Sequence, residues 1–188
     1  ALGRVLAQDV ASTLTHPPTA VSAMDGYAVR GADVAAAGAS LKRIGTAPAG
    51  HIFDGTVGPG EAVRIFTGGA VPDGADTIVI QEDVKASAEV DGATLEITEA
   101  TKTGAYVRPA GLDFREGDVR IKTGRVLTAR DIGMAAAMNV PWIEVRRKPR
   151  VAILPTGDEI IRPGDPTGPN KIVSSNSYAL AALVRACG

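Results

Sequence analysis

The sequence predicts a multidomain α+β protein whose middle is β-rich and whose flanks mix helix and strand. Three observations carry this. Aromatic residues make up only 4% of the 188 residues, while Gly and Pro number 22 and 12; such a composition suits short strands joined by tight turns, not a helical bundle. Between residues 41 and 120 apolar residues come in short alternating or continuous runs, and at Thr128 the spacing changes to that of a helix. Residues 151–154, V-A-I-L, form a continuous apolar run of the kind expected of a strand buried on both faces of a parallel sheet.

Taken in order, residues 1–9 place Leu2, Val5 and Leu6 at i, i+3, i+4 spacing, which predicts a helix. No N-cap precedes them, so that helix is expected to start upstream of Ala1. Residues 10–30 read as extended chain, stiffened after His16 by Pro17 and Pro18. Asp25-Gly26 reads as a turn, Tyr27 and Val29 alternate beyond it, and a short helix is expected around 31–37. Strands are predicted at 61–66, 76–84 and 93–98, separated by Gly58-Pro59-Gly60, Gly68-Gly69, Pro72-Asp73-Gly74 and Asp91-Gly92. This spacing suits a small barrel or sandwich. Asp91-Gly92 reads as a type I′ hairpin turn, with φ > 0 at both residues.

A helix follows at 128–138. Thr128 is its N-cap, Asp131 lies in the first turn, and Ile132, Ala135, Ala136 and Met138 form the apolar face; Asn139 ends it. A strand is expected at 142–146. After the 151–154 strand comes a Gly/Pro loop to residue 173. Ser174-Ser175-Asn176 then opens a second helix with Leu180, Leu183, Val184 and Cys187 on one face and Gly188 just past its end. One strand–loop–helix unit cannot bury both faces of its strand, so this α/β domain is expected to continue beyond residue 188.

Composition excludes several function classes. The net charge is −1 with both signs interspersed, which leaves no basic patch for nucleic acid. No apolar run approaches the roughly 20 residues that span a bilayer. The first ten residues lack the basic start and apolar core of a signal peptide. Cys187 is the only cysteine, so no intrachain disulfide can form, which fits a cytoplasmic protein. His16 and His51, the only histidines, show no partner within their own segments and read as ordinary residues.

Four polar segments offer chemistry. In S-A-M-D-G-Y, Asp25 is either a plain turn residue or a carboxylate held at a sharp bend to bind a cation or polarise a hydroxyl. In F-T-G-G-A-V-P-D-G-A-D, Thr67 and the glycines after it suggest a nest of backbone N–H groups for a tetrahedral anion, the plain alternative being a loop between strands. In Y-V-R-P-A-G-L-D-F, Arg108 and Asp113 flank a Pro/Gly turn; Arg is suited to bidentate oxyanion binding, and a plain surface turn is the equal alternative. In L-P-T-G-D-E-I, Asp158 and Glu159 lie past the carboxyl end of the predicted buried strand, where open α/β sheets bind ligands; Ser175 and Asn176 start the following helix near its positive end.

These segments, in this order, resemble the MoeA/gephyrin E-domain family of molybdopterin molybdotransferases. A-L-G-R-V-L-A-Q-D-V, S-A-M-D-G-Y-A-V-R, F-T-G-G-A-V-P, V-R-P-A-G-L-D and P-T-G-D-E-I are each similar to a family motif, and the resemblance covers the chain from end to end. It departs from the usual pattern at Gly69, Ala110, Leu112, Pro155 and Ser174. The resemblance implies an elongated mixed α/β dimerisation domain from residues 1–11 and 118–147. It also implies an inserted β-barrel-like domain at 12–117 and the start of an α/β molybdopterin-binding domain at 148–188. It implies a homodimer that, with Mg²⁺, inserts molybdate into adenylylated molybdopterin and releases AMP, in contact with other cofactor-biosynthesis enzymes. Asp25, Thr67, Asp113 and Glu159 would be catalytic, and Arg108, Asp158, Ser175 and Asn176 would bind the ligand; the exact metal ligands stay open. In that family the cleft combines the β domain of one protomer with the α/β domain of its partner. The competing expectation is a pterin-binding scaffold of the same fold without turnover.

Overall fold

The computed structural model describes residues 1–188. Its strands are β1 (Val10–Ala11), β2 (Val21–Ser22), β3 (Gly26–Val29), β4 (Ser40–Ala47), β5 (Glu61–Ile65), β6 (Thr77–Ile80), β7 (Val84–Ala86), β8 (Thr94–Ile97), β9 (Val107–Arg108), β10 (Val119–Ile121), β11 (Ile160–Ile161) and β12 (Ile172–Val173). Its helices are α1 (Ala129–Ala137) and α2 (Asn176–Ala186), with 3₁₀ turns at Gly31–Asp33 and Gln81–Asp83. The chain forms two compact units, Ala11–Val119 and the combination of Ala1–Val10 with Arg120–Gly188.

The unit Ala11–Val119 is built on a six-stranded mixed sheet in the order β6-β3-β5-β4-β8-β7. β3 runs antiparallel to both β5 and β6, and β4 runs parallel to β5 with a bulge between Arg43 and Gly45. Period-two alternation sends Tyr27, Val29, Ala62 and Val79 into one apolar cluster with Leu41, Leu95 and Ile97. Ala28, Val63, Ile65 and Ile78 enter a second cluster with Ala47 and Val57. Both faces of the central strands are therefore buried, so β3 has no exposed residue.

The sheet curls. β6 and β7 lie on its opposite edges, yet only the turn Gln81–Asp83 separates them. Four Cα steps reach at most roughly 14 Å, whereas the edges of a flat six-stranded sheet stand about 24 Å apart. Only a sheet bent back toward itself satisfies both.

Four sequence expectations in this unit change. The strand expected at 76–84 is interrupted: β6 stops at Ile80, a 3₁₀ turn takes Gln81–Asp83, and Val84 already begins β7. The helix expected around 31–37 is a single 3₁₀ turn. Asp25-Gly26 is not a two-residue turn: the bend spans 23–25, and Gly26 opens β3. Asp91-Gly92 does occupy the centre of a turn, closed by the Ala93 N–H donating to Val90 O. Only Gly92 has positive φ, however, so the geometry is of type II, and the β7–β8 connection is longer than two residues.

The other unit has less regular structure. Residues 1–9 form no helix: a turn at Leu2–Gly3 leads into isolated bridges at Val5 and Leu6. The Gly3 and Leu6 N–H groups donate to Leu127 and Arg125 carbonyls, and the Ala7 N–H donates to Glu144 O. Their backbone groups are thus taken by segments far away in sequence, which no local periodicity reveals. Residues 142–146 contribute a single bridge, Val145 to Leu6, instead of a strand. Residues 151–154 form no strand, because no neighbouring strand pairs with them; Leu154 is 83% exposed. Inside the predicted loop, β11 and β12 pair in parallel. α1 matches its expectation at the start, with Thr128 as N-cap; of the expected apolar face Ala135 and Met138 are buried but Ile132 and Ala136 are exposed, and Met138 is the C-cap, with Asn139 just beyond it in the left-handed region at φ 58°. No helix is long and apolar enough to cross a membrane.

Candidate functional site

Three of the four polar segments meet within the unit Ala11–Val119. β2 pairs with β9, placing Val21 opposite Arg108 and Ser22 opposite Val107. Along the other side of β2, the Ser22 N–H donates to Gly69 O and the Gly68 N–H donates to Ser22 O, both at 2.9 Å. The Ala23 N–H reaches Tyr106 O at 2.8 Å. These ladders stitch the three segments side by side.

The bend after β2 is set locally. The buried Ser22 hydroxyl donates to Met24 O at 2.6 Å, and turns of this kind favour hydroxyl residues. The bend delivers Asp25 to the turn 66–69, 42 residues further on. There the Thr67 N–H and hydroxyl both donate to Asp25 Oδ1, at 2.7 and 2.8 Å. The Thr67 N–H, then its hydroxyl, hold the Asp25 carboxyl below its usual 3.8, and the charge of Arg64 adds to this. Asp25 is therefore ionised at neutral pH. Arg64 donates to Gly26 O at 3.1 Å and to Gln81 Oε1 at 2.6 Å, and its guanidinium lies over the Tyr27 and Phe66 rings at 5.1 and 4.9 Å.

The expected anion nest at 67–69 does not form. The Thr67 N–H is used by Asp25, the Gly68 N–H by Ser22 O, and the Gly69 N–H by Phe66 O at 2.8 Å. Gly68, at φ 82°, takes the third position of a type II turn. What the segment offers is a carboxylate–hydroxyl pair.

A cavity of about 750 Å³, a size suited to a small-molecule site, opens in the same unit; neither Asp25 nor Thr67 lines it. Gly68 and Ala70 connect it to the 66–76 segment. His16, His51, Arg108 and Asp113 supply its charged and titratable groups, and Pro17, Pro18, Val21, Ile52 and Leu112 its apolar wall. His16 Nε2 stands 3.6 Å from Asp113 Oδ2. No three His, Cys, Asp or Glu side chains converge to form a metal cage.

The fourth segment belongs to the other unit. The Ile172 N–H donates to Glu159 O at 2.7 Å and the Ser174 N–H to Ile161 O at 2.8 Å, which brings the 157–161 and 172–178 stretches together. Between them lies a cavity of about 420 Å³ whose lining includes Pro155, Gly157, Arg162, Ser174 and Tyr178. Asp158, Glu159, Ser175 and Asn176 are exposed near it. The Glu159 carboxylate folds over Gly157, where a Cβ would fall 2.5 Å from either oxygen. Ser175 holds the N-cap position in helical conformation without a side-chain capping bond, so its expected capping role is not realised. The Ser174 hydroxyl contacts that of Ser177 instead.

Two residues of the first site escaped sequence reasoning. Arg64 lies inside an alternating strand run, where it reads as a solvent-facing residue. His16 has no partner nearby in sequence, and Asp113 reaches it only through the fold.

Known proteins resemble the chain throughout. A family model for the MoeA N-terminal region (domains I and II) matches residues 1–139. The molybdopterin molybdenumtransferase of Nostoc sp. is 42% identical across 99% of this chain and 43% of its own length. Molybdopterin molybdenumtransferase 2 of Mycobacterium tuberculosis is 36% identical across 100% of this chain and 46% of its own. The crystal structure of the molybdopterin biosynthesis moeA protein from Pyrococcus horikoshii OT3 superposes with a TM-score of 0.81 at 33% identity, covering 98% of this chain and 49% of that one. The chain thus spans about half the length of the relatives it matches.

Proposed function

The chain belongs to the MoeA family, whose N-terminal region it matches, and on that premise we propose that the protein is a molybdopterin molybdotransferase of molybdenum cofactor biosynthesis. It inserts molybdate into adenylylated molybdopterin and releases AMP. The observation that carries this reading is the Asp25–Thr67 pair together with the cavity, in the same unit, lined by Arg108 and Asp113. An ionised carboxylate with a hydroxyl polarised by it, next in the chain to a small-molecule cavity that carries a guanidinium, suits a phosphate ester and an oxyanion.

Asp25, Thr67 and Asp113 are the catalytic groups of this unit, and Arg108 binds oxyanion. Thr67 directs its hydroxyl hydrogen to Asp25 Oδ1, so its oxygen presents lone pairs outward. Mg²⁺ is commonly held by one or two carboxylates, several waters and substrate phosphate, so a single ionised Asp25 fits it. Oδ1 takes both Thr67 hydrogen bonds; Oδ2 is the oxygen through which Asp25 would hold the ion. When bound, Mg²⁺ neutralises phosphate charge. In the homodimer this reading entails, the partner protomer brings its own copies of Glu159 as a catalytic carboxylate and of Asp158, Ser175 and Asn176 as ligand contacts.

The test mixes the full-length gene product with adenylylated molybdopterin, Mg²⁺ and molybdate and follows AMP. Release should depend on molybdate and fall about 100-fold or more in Asp25→Ala and Glu159→Ala. Full release in Asp25→Ala would overturn the assignment. Tight pterin binding with no release would favour a scaffold.

A further inference from the structure

We propose that Arg64 is a positioning residue for the Asp25–Thr67 pair, clamping the two chain ends that carry it at the separation their hydrogen bonds require. The inference rests on the assignment of Asp25 and Thr67 to the catalytic set made above.

The need for a clamp follows from where the pair sits. Asp25 precedes β3 and Thr67 follows β5, and the antiparallel ladder between these strands ends at Gly26 opposite Ile65. Asp25 and Thr67 therefore meet just past the last pair of that ladder, where strand ends open most easily. Asp25 Oδ1 takes both Thr67 hydrogen bonds, at 2.7 and 2.8 Å, so parting the ends by about 1 Å breaks the two together.

Arg64 spans this end. It stands opposite Tyr27 in the ladder, and its guanidinium lies over the Tyr27 ring of β3 and the Phe66 ring just past β5, 5.1 and 4.9 Å from their centroids. Nη1 donates to Gly26 O at 3.1 Å and Nη2 to Gln81 Oε1 at 2.6 Å. Gln81 in turn donates its backbone N–H to Asp25 O at 3.1 Å. The two carbonyls in succession from Asp25 are thus both held, Asp25 O by Gln81 and Gly26 O by Arg64, and Arg64 ties the two holders together. Each peptide group is planar, so fixing both fixes the direction in which the Asp25 side chain leaves the backbone. At the other end, Phe66 is the residue before Thr67, and the guanidinium stacked on its ring restrains it. A planar fork with two donors and two flat faces suits this position. Misplacing a reacting group by about 1 Å can cost up to roughly 100-fold in rate.

The experiment uses the full-length gene product and R64M, whose unbranched side chain keeps an apolar stem against the two rings and removes the donors. It measures kcat, KM and, by NMR on deuterated protein, hydrogen exchange of the Thr67 amide against the amides of β3 and β5. The Thr67 amide should exchange about tenfold faster or more, and those of β3 and β5 within about twofold of wild type. kcat should fall about tenfold with KM within about twofold. A Thr67 amide protected as in wild type, or wild-type kcat, would overturn the role. So would equal acceleration at Thr67 and throughout β3 and β5, because Arg64 would then brace the sheet and not the pair. Asp25→Ala as fast as wild type would overturn the catalytic assignment of the pair, and any part of Arg64 in turnover with it, while the Thr67 amide in R64M reports the clamp independently of turnover. Should R64M not fold, Q81L, which leaves the guanidinium on its rings and removes the oxygen it holds, is read in its place, with the same changes expected in the same direction.

Discussion

Asp25 and Gly26 show how one dipeptide serves two purposes at the level of single residues. Gly26 is needed for closeness, not for an unusual φ: a Cβ there would stand 2.0 Å from Val79 O, a backbone atom that cannot rotate away. Gly26→Ala should therefore destabilise the protein by about 3 kcal/mol, read as a lower urea midpoint, and a change within error would contradict the packing. Asp25 depends on Thr67. In Thr67→Val the backbone N–H, the larger influence, remains while the hydroxyl is lost, so the carboxyl should titrate at a higher pH than in the wild type yet stay below 3.8. Carboxyl carbon NMR measures this directly. The sign follows from the depressed folded value: the stabilisation Asp25 provides is present above about pH 3.8 and disappears as pH falls through the folded value. The valine variant should lose that part of its acid resistance. The residues themselves were legible in the sequence as motif letters. Their partnership was not, because neither the 42-residue gap from Asp25 to Thr67 nor the side-by-side ladders that close it leave any local trace.

The elements divide by where their partners lie. α1 was readable because everything that starts it is local. Thr128 accepts from the Asp131 N–H and Asp131 accepts from the Thr128 N–H, a reciprocal capping box. The Thr128 hydroxyl and N–H, with Arg125 Nε at 2.8 Å, hold Asp131 down at about 2. Thr128→Ala should cost about 1 kcal/mol, most visible at neutral pH. Because the folded value lies below the usual 3.8, the Asp131 contribution is intact above about pH 3.8 and fades as pH falls toward 2. The wild-type advantage over the alanine variant should shrink over that window; a constant difference in denaturation midpoints from pH 6 to pH 2.5 would contradict the cap. Residues 1–9 failed for the opposite reason. Three apolar residues at helical spacing are also compatible with extended chain, and the carbonyls of Arg125, Leu127 and Glu144, which receive its N–H groups, lie far outside any reading window. The anion nest failed similarly: the glycines at 68 and 69 suggested open N–H groups, and pairing with Ser22 and Phe66 consumed them.

Across the whole molecule, order is unevenly distributed, and hydrogen exchange should map it. In the unit Ala11–Val119 the central strands are buried on both faces, and β3 and β5 exchange hydrogen bonds with neighbours on each side. Their amides can open only when that sheet unfolds, so they should be the slowest to exchange. Residues 151–157 carry no helix or strand, and Val151 and Leu154 face solvent. An apolar run exposed in this way contributes no burial, and its backbone amides lack a ladder. The same letters led sequence reading to a doubly buried strand, since hydrophobicity records what a segment can bury and is silent on what covers it. Amides at 151–157 should therefore exchange orders of magnitude faster than those of β5, with α2 between, its helical bonds intact but its Leu180 and Leu183 exposed. Protection at 151–154 equal to that of β5 would contradict this ranking and would mean that the run pairs in solution. Dilution then separates the two sources of pairing: protection that fades with concentration comes from a second copy of the chain, and protection that persists comes from within it.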